Sequence, residues 1–384
     1  METPKNEIFG HKISAQYTTT PHQIVSAKLY RFHLPLKDPL KLKNISLDHR
    51  EGMILSLRDA VGNIGLSEIS PLPGFSEETL ETAAYKTTKL LGEIVNSEDF
   101  TNRLLSRACE KNKLENPSLA YFGVETALLA LLASQNQVSL GTLLYGESSE
   151  EISLNGLINQ NLSEWMPEAE RLVSAGYKTL KIKVGRINAE LESMGIKGVR
   201  QAVGPNVKLR LDANRSWDLE TAISFGKSLA VSDIEYIEEP VPNPNDLPRF
   251  FDACGMHFAL DETLHHIVDP GISFSTYTGL SALVLKPTLI ACMPRFLSLV
   301  AQAKAKGVSA VLSSSYESDV GISILAQLAA SISGTGTAVG LDTGVAFREN
   351  ISARTPHVHD GKMKISQLTL DELKLDRCEL IYES

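Results

Sequence analysis

A parallel β/α barrel preceded by a smaller α+β unit is the fold class this sequence predicts. Three observations carry that prediction. Eight β-type segments recur, beginning near Asn155, Leu180, Lys208, Ile234, His257, Ala282, Ser309 and Thr337, with gaps of 25, 28, 26, 23, 25, 27 and 28 residues. One strand plus one helix takes roughly 25 residues, so the repeat is that of consecutive β/α units. Five of the segments (LKIKV, KLRLDA, IEYIEEP, HFALDE and ALVLKP) are short β-rich apolar segments that close on a charge. Buried parallel strands read as near-continuous apolar runs, and a charge at the C-terminal end of a barrel strand sits at the mouth, where barrel enzymes do their chemistry. Finally, residues 24–134 first alternate apolar with polar and then turn helical, unlike the repeat that follows. A doubly wound open sheet would also alternate strands and helices. It usually carries a Gly-rich fingerprint after its first strand, and no GxGxxG is present.

The elements follow in chain order. Residues 1–20 are polar and aperiodic and read as a flexible extension. From Ile24, IVSAKLYRFHLPL and GMILSLRDAVGNIGLSEISPL alternate as antiparallel strands do, with Asp59 to Asn63 suited to the hairpin turn. Helices are expected over about 77–95, 98–112 and 117–134, the third apolar on most faces and therefore buried. In the repeat, LSEWMPEAERLVSAGY with Gly176 as its stop and DLETAISFGKSLA are helix patterns between strands. These readings divide the chain into 21–148, a barrel over 149–345, and a tail over 346–384 that lacks a barrel helix and is expected to pack back on the N-terminal unit.

Bulk properties exclude several function classes. The formal charge is 37 − 46 = −9 with no basic cluster, which gives a nucleic-acid or anionic-membrane partner no support. No apolar run approaches the roughly 18 residues that a membrane span requires. The start lacks the basic-then-apolar order of a secretory signal. Cys109, Cys254, Cys292 and Cys378 are scattered without a CxxC, as suits a reducing cytosol, so a cytoplasmic location is expected. Nothing in the sequence fixes an oligomeric state.

The charges that close the apolar runs form a ladder from Lys183 to Asp212, Glu238, Asp261 and Lys286, in steps of 29, 26, 23 and 25 residues. Residues i and i+2 of a strand face the same way, so Lys181 and Lys183 both point inward while Ile182 packs outward. Two adjacent ammonium groups repel, each proton becomes easier to lose, and burial adds to the effect. That is one way to obtain a lysine base near neutral pH. A lone KxK would more often be a solvent-facing edge, and a lone carboxylate a helix cap or surface ion pair. Mid-barrel placement and three carboxylates in register reverse both readings. Hard oxygen ligands of this kind suit Mg²⁺. Within Glu238-Glu239, alternation allows only one side chain to face in. Lys286 would approach from the side opposite Lys183. The group as a whole fits abstraction of a proton next to a carboxylate, so the expected partner is a small-molecule carboxylate substrate. The charge of the resulting enediolate demands electrostatic stabilisation.

K-x-K, D-A-N, E-E-P, L-D-E and K-P-T, in this order and spacing, resemble the enolase superfamily, in its muconate-lactonizing-enzyme-like subgroup with a lysine on each side of the metal. The match covers roughly residues 24–345. It implies a modified (β/α)7β TIM-like barrel with an N-terminal α+β capping domain, the C-terminal segment returning to the cap. SEISPLPGFSEETL (67–80), RLDANRSW (210–217), ALDETL (259–264), VLKPTLI (284–290) and SSSYESDVG (313–321) are similar to the o-succinylbenzoate synthase family. That family dehydrates 2-succinyl-6-hydroxy-2,4-cyclohexadiene-1-carboxylate to 2-succinylbenzoate in menaquinone biosynthesis. The resemblance implies Lys183 as base and then acid, and Asp212, Glu238 and Asp261 as ligands of Mg²⁺, with Mn²⁺ as the alternative ion. It implies Glu238 rather than Glu239, Lys286 as a cation across the substrate, and Lys181 lowering the pKa of Lys183 and touching the carboxylate. Ser313, Ser314 and Ser315 resemble the part of the pocket that holds the succinyl group, and Asn214 joins them as a substrate contact.

Racemisation or epimerisation of an N-acylamino acid or dipeptide is the rival reading, because related enzymes use the same two lysines as paired bases. PLPGFS and SSSYES favour the dehydratase. A catalytically dead binding barrel should have lost a member of the ladder, and all six positions, Lys181 included, are filled. The seventh strand carries Ser-Ser-Ser-Tyr and no histidine, which argues against the mandelate-racemase-like branch. SEISPLPGFS reads either as a turn in which Ser76 caps a helix with Glu78 in its first turn, or as a loop that closes over substrate. His265-His266 is read as surface, His357 and His359 as solvated, and Trp165 and Trp217 as packing residues.

Overall fold

The computed structural model describes residues 7–8, 11–12, 17, 21–42, 45–97, 101–102, 104, 117–265, 274–333, 336–353 and 356–384. Most of the extension, most of the helix expected over 98–112, and His266 lie outside the described residues; Thr101, Asn102 and Leu104 are helical. Glu7–Ile8 does pair antiparallel with His11–Lys12.

The cap is built on a long hairpin, β1 (Ile24–Leu42) and β2 (Ile45–Asp59), followed by β3 (Ile64–Ile69). Between β2 and β3 the Asp59 carboxylate accepts from the backbone N–H groups of Val61, Gly62 and Asn63, which closes the expected turn. Two helices, α1 (Leu80–Asn96) and α2 (Leu119–Gln135), follow. The N-cap of α1 is Thr79, whose side chain accepts from Thr82 N, and not Ser76. Ser76 instead accepts from Leu72 N through its Oγ at 2.9 Å, which folds the PLPGFS loop on itself. Helix α2 is buried along almost its whole length. It can lie this close to the sheet because glycines meet it: a Cβ on Gly65 would come within 2.6 Å of Leu131 N, and one on Gly123 within 2.6 Å of Ile69 Cδ1. The short helix α3 (Leu140–Tyr145) leads to the barrel.

Seven parallel strands curl into the barrel in chain order: β4 (Gly156–Ile158), β5 (Thr179–Lys183), β6 (Lys208–Asp212), β7 (Tyr236–Glu238), β8 (Phe258–Leu260), β9 (Leu280–Leu285) and β10 (Ser309–Leu312). Val339 and Gly340 supply the eighth position, with parallel bridges to Leu154 on one side and to Ser313 on the other. The result is a modified TIM barrel whose last strand has no helix after it. Between strands lie α4 (Trp165–Ser174), α5 (Ala189–Val203), α6 (Leu219–Ser228), α7 (Leu247–Cys254), α8 (Met293–Lys306) and α9 (Asp319–Ile332). Outward-facing Ile182, Leu211 and Ile237 are fully buried against this ring. Inside, a small plug of Tyr236, Ala259, Ala282, Val284 and Val311 fills the middle of the barrel. Arg210, also buried, pairs with Glu235 at 2.5 Å. Trp165 and Trp217 are packed, and His357 and His359 are exposed.

The tail ends in β11 (Glu379–Glu383), which pairs antiparallel with β1 and so joins the cap sheet. Further contacts fix the cap over the barrel mouth. Arg348 donates to the carbonyls of Leu36 and Lys37 on the hairpin. From β2, the buried Arg50 guanidinium reaches the carbonyls of Ser70, Pro71 and Tyr316. Among the described residues no helix is long and apolar enough to cross a membrane.

Candidate active site

Strand register assembles the ladder. Lys183 on β5 is level with Asp212 on β6, which is level with Glu238 on β7. Partners level in register face the same way, so the three side chains point together into the mouth. Lys181 Nζ lies 2.8 Å from Asp212 Oδ2 and 2.8 Å from both oxygens of Glu238. Lys183 Nζ donates to Asp212 Oδ2 at 2.6 Å and to Asn214 Oδ1 at 2.8 Å. Lys286, just past β9, donates to Asp261 Oδ2. Asp212, Glu238 and Asp261 have 0% exposed surface, whereas the lysine side chains keep some access. All six expected residues therefore meet in one cluster. Lys183 and Lys286 stand on the second and sixth of eight strands, half a turn apart.

The charges settle unequally. Burial pushes the Asp212 and Asp261 carboxyls up, but Lys181 and Lys183 beside the first and Lys286 and His265 beside the second outweigh it, and both end below the usual range. Glu238 ends well above its usual range, pushed by burial and by Asp212, against the pull of Lys181. Lys181 does not behave as the sequence suggested. Burial pulls its ammonium down, yet Asp212, Glu238 and Asp261 more than compensate and raise it well above the usual lysine range. Lys286 is raised for the same kind of reason, by Asp261 and Glu262 against burial. Repulsion between neighbouring ammoniums is thus the weaker effect at Lys181.

A divalent cation suits this donor set. Three buried carboxylates on adjacent strands offer only hard oxygen ligands. Asp261 Oδ1 is buried and, apart from His265 Nε2 at 3.3 Å, has no polar partner among the described residues. Burial, and after it the neighbouring Asp212 and Asp261 carboxylates, push Glu238 up, and positive charge beside it would oppose that push.

Residues outside the ladder hold the cluster in place. Glu239, buried and at φ 43°, is turned away from the mouth. It accepts from the N–H groups of Asp261 and Thr263, from Thr263 Oγ1 and from Arg215 Nε, at 2.7 to 2.9 Å. It thereby ties the ends of β6, β7 and β8 together. Asn214, also at φ 43°, accepts from Lys183 and donates to Glu262 Oε1 at 2.9 Å. Both ends of its amide are engaged inside the protein, so it positions the lysine, and it stays exposed at the mouth. His265 is a correction to the surface reading. Its side chain is 8% exposed, with Nε2 3.3 Å from Asp261 Oδ1, because the turn after β8 folds it back over the strand end. The signal for Glu239 was present in E-E-P, where a side chain that cannot face the mouth must be satisfied elsewhere.

The three serines separate. Ser314 is buried and bonds Thr343 Oγ1 at 2.6 Å, which takes it out of the mouth. Ser313 is half-exposed beside Gly340, and Ser315 Oγ is buried without a partner among the described residues. Below them, Glu317 accepts from Ser315 N and Thr288. The PLPGFS loop borders the same end of the barrel: Phe75 and Ser76 line a cleft with His265, Thr288 and Leu289.

Relatives share this plan. The family described as enolase C-terminal domain-like matches residues 164–369, and the MenC N-terminal domain matches residues 24–131. The o-succinylbenzoate synthase of Proteus mirabilis is 33% identical over 356 residues, 91% of this chain and 98% of its own length. That of Pasteurella multocida is 34% identical over 335 residues, 82% of this chain and 88% of its own. In fold, the chain superposes on the L-Ala-D/L-Glu epimerase of Bacillus subtilis with a TM-score of 0.78 at 21% identity, covering 94% of this chain and 99% of that one. The muconate lactonizing enzyme of Pseudomonas fluorescens gives 0.77 at 18% identity, covering 94% and 97%. The last two likenesses concern architecture alone. Full-length sequence relatives, both domain matches and the carboxylate-lysine mouth agree, and the chain belongs to the o-succinylbenzoate synthase family of the enolase superfamily.

Proposed function

We infer that the chain catalyses the dehydration of 2-succinyl-6-hydroxy-2,4-cyclohexadiene-1-carboxylate to 2-succinylbenzoate, the o-succinylbenzoate synthase step of menaquinone biosynthesis. The observation that carries the assignment is the ladder of three carboxylates and three ammoniums at successive strand ends, in a chain that matches these synthases over nearly their whole length. Asp212, Glu238 and Asp261 would hold Mg²⁺, with Mn²⁺ as a substitute. When bound, that ion supplies positive charge where the substrate carboxylate gathers electrons.

Lys183 is assigned the proton transfers. As the free amine it takes the proton from the carbon next to the carboxylate, and the C–H electron pair stays on the substrate. The same ammonium then gives that proton to the departing ring hydroxyl, which leaves as water as the C–O bond breaks and the ring becomes aromatic. Asn214 and Asp212 fix Nζ for both steps. Lys286 presents a fixed positive charge from the opposite wall, and Lys181 holds Asp212 and Glu238 at one spacing. Ser313 and Ser315 are the hydroxyls left for the succinyl arm.

Ultraviolet-monitored turnover of the cyclohexadiene by purified protein, with Mg²⁺ and with EDTA, tests this reading. Loss of the diene absorbance with Mg²⁺ alone is expected; no turnover by folded, Mg²⁺-supplied protein would overturn it. The half-turn between Lys183 and Lys286 also favours a second activity, racemisation of N-acylamino acids. Exchange of the α-proton in D₂O, measured on the same preparation, reads that out.

A further inference from the structure

Among the described residues, one cluster of metal-ligating side chains stands apart from the barrel. The ligand atoms of His33, His49 and Glu51 lie within 4.8 Å of one another. The hairpin places them: His33 on β1 pairs with Glu51 on β2, and Pro35 pairs with His49. Partners level in register share a face, as do residues two apart, so all three side chains project together. Arg50, between His49 and Glu51, points the other way into the cap–barrel interface.

The two imidazole rings stack, with centroids 4.0 Å apart and planes 21° from parallel. Glu51 presents one oxygen to each: Oε1 lies 3.7 Å from His33 Nδ1, and Oε2 lies 3.9 Å from His49 Nε2. A fourth residue orients the set. Asp48 Oδ1 lies 2.5 Å from His49 Nδ1. A carboxylate only accepts, so Nδ1 carries the hydrogen, and Nε2, on the side of Glu51, is the nitrogen open to a metal. A carboxylate behind a ligating histidine is the arrangement that fixes ring and tautomer in metal sites. Arg31 donates to Glu51 Oε1 at 3.1 Å and leans 3.8 Å from Glu81, which leaves Glu51 Oε2 free.

We propose that His33, His49 and Glu51 bind a divalent transition metal of the Zn²⁺, Ni²⁺ or Cu²⁺ class across the cap hairpin. Two imidazole nitrogens and one carboxylate oxygen select such ions over Mg²⁺, so this site and the all-carboxylate mouth take different metals. Tetrahedral bonds of about 2.0–2.1 Å set ligand atoms roughly 3.3 Å apart. The ligand atoms lie within 4.8 Å of one another, and the side chains, exposed or half-buried, must unstack and rotate to close on one ion. The ligands come from both strands just before the pairing slips between Pro35 and Leu40. A bound ion would clamp the hairpin below its reach over the barrel mouth.

Calorimetric titration of Zn²⁺ into the full chain, in excess Mg²⁺ to occupy the barrel carboxylates, tests the proposal. One Zn²⁺ equivalent is expected, weakened at least about tenfold in His33→Ala and in His49→Ala. Asp48→Asn, which touches only the second nitrogen of His49, should weaken it by about 10–100-fold. Mg²⁺-dependent dehydration by the same variants should match the parent, which establishes that they fold. Equal Zn²⁺ stoichiometry and affinity in the parent and in the His33→Ala/His49→Ala double variant would overturn the site, as would no Zn²⁺ binding by the parent.

Discussion

The barrel mouth and the cap are organised by opposite physics. At the mouth, buried charges are crowded together and held by ion pairs and backbone N–H groups, as at Glu239 and Lys181. In the cap, α2 meets the sheet through apolar side chains and bare glycine backbone, with little charge in the contact. Burying a charge costs several kcal/mol unless it is paired, so the mouth contributes little to stability relative to apolar filling of the same volume. Apolar burial in the cap contributes stability at about 25 cal/mol per Å². The two regions should therefore respond to substitution in opposite ways: chemistry lost without unfolding at one, unfolding without lost chemistry at the other.

The largest expected effect is at the mouth. Lys183→Ala removes the proton-transfer group while leaving the three carboxylates, Lys181 and Lys286 in place. Turnover should fall by about 10²–10⁴-fold, the range for a positioned acid–base group. Calorimetric Mg²⁺ binding and the thermal midpoint should stay close to the parent values. Substantial remaining turnover would remove Lys183 from the role assigned to it, and a collapse in stability would show that the mouth is structural after all.

Between the regions sits Glu68 on β3, which joins them. Its carboxylate accepts from Ser318 N at 3.0 Å, Ser318 Oγ at 2.5 Å and Gly321 N at 2.9 Å, at the N-terminus of barrel helix α9. Burial pushes it from the ordinary 4.5 to about 7, with the Ser318 bonds pulling back and Glu317 adding to the rise. Because the folded value is raised, the folded state binds more protons than the unfolded one between these limits. Its contribution to stability is full below 4.5 and is lost as pH rises to about 7. A shift of that size corresponds to about 3 kcal/mol. Urea unfolding at pH 5 and at pH 7.5 should show a decline in the parent that Glu68→Gln reduces. An identical decline in the variant would mean that Glu68 is ionised throughout.

These residues also show what the sequence could reveal. The ladder was legible because a charge that ends an apolar strand, repeated at barrel period, seldom arises in any other architecture. The fold was legible for the same reason, down to the Asp59 turn and the apolar α2. For Glu239 only its exclusion from the mouth was legible, in E-E-P; its partners, and those of Asn214, were not, because they depend on backbone at φ 43°. Glu68 and Arg50 were not, because charges in an alternating strand read as its solvent face, and only the docking of cap on barrel buries them. His265 was misread because a turn folds it back onto Asp261. For Ser76, two hydroxyl residues three positions apart compete as caps, and Thr79 has the side-chain bond to Thr82 N. What was missed depends on long-range contacts, and what was read depends on periodicity.

The smallest expected effect belongs to the cap, where the substitution adds one methyl group. Gly65→Ala puts a Cβ 2.6 Å from Leu131 N and 2.8 Å from Leu131 Cβ, in addition to the Ala127 carbonyl. Two of those atoms are backbone of α2, so no side-chain rotation relieves the clash and the helix must lift from β3. Overpacking of this kind costs about 1–3 kcal/mol. Lifting α2 also loosens Gly123 from Ile69 at the other end of the same contact. None of the charged residues of the mouth lies on α2, so the chemistry should not register the change. Urea unfolding should therefore show a lower midpoint, while kcat at a temperature where the variant is folded should equal the parent's. A lowered kcat with unchanged stability would reverse the assignment of the two regions, and would mean that the seat of the cap on the barrel sets the geometry of the lysines.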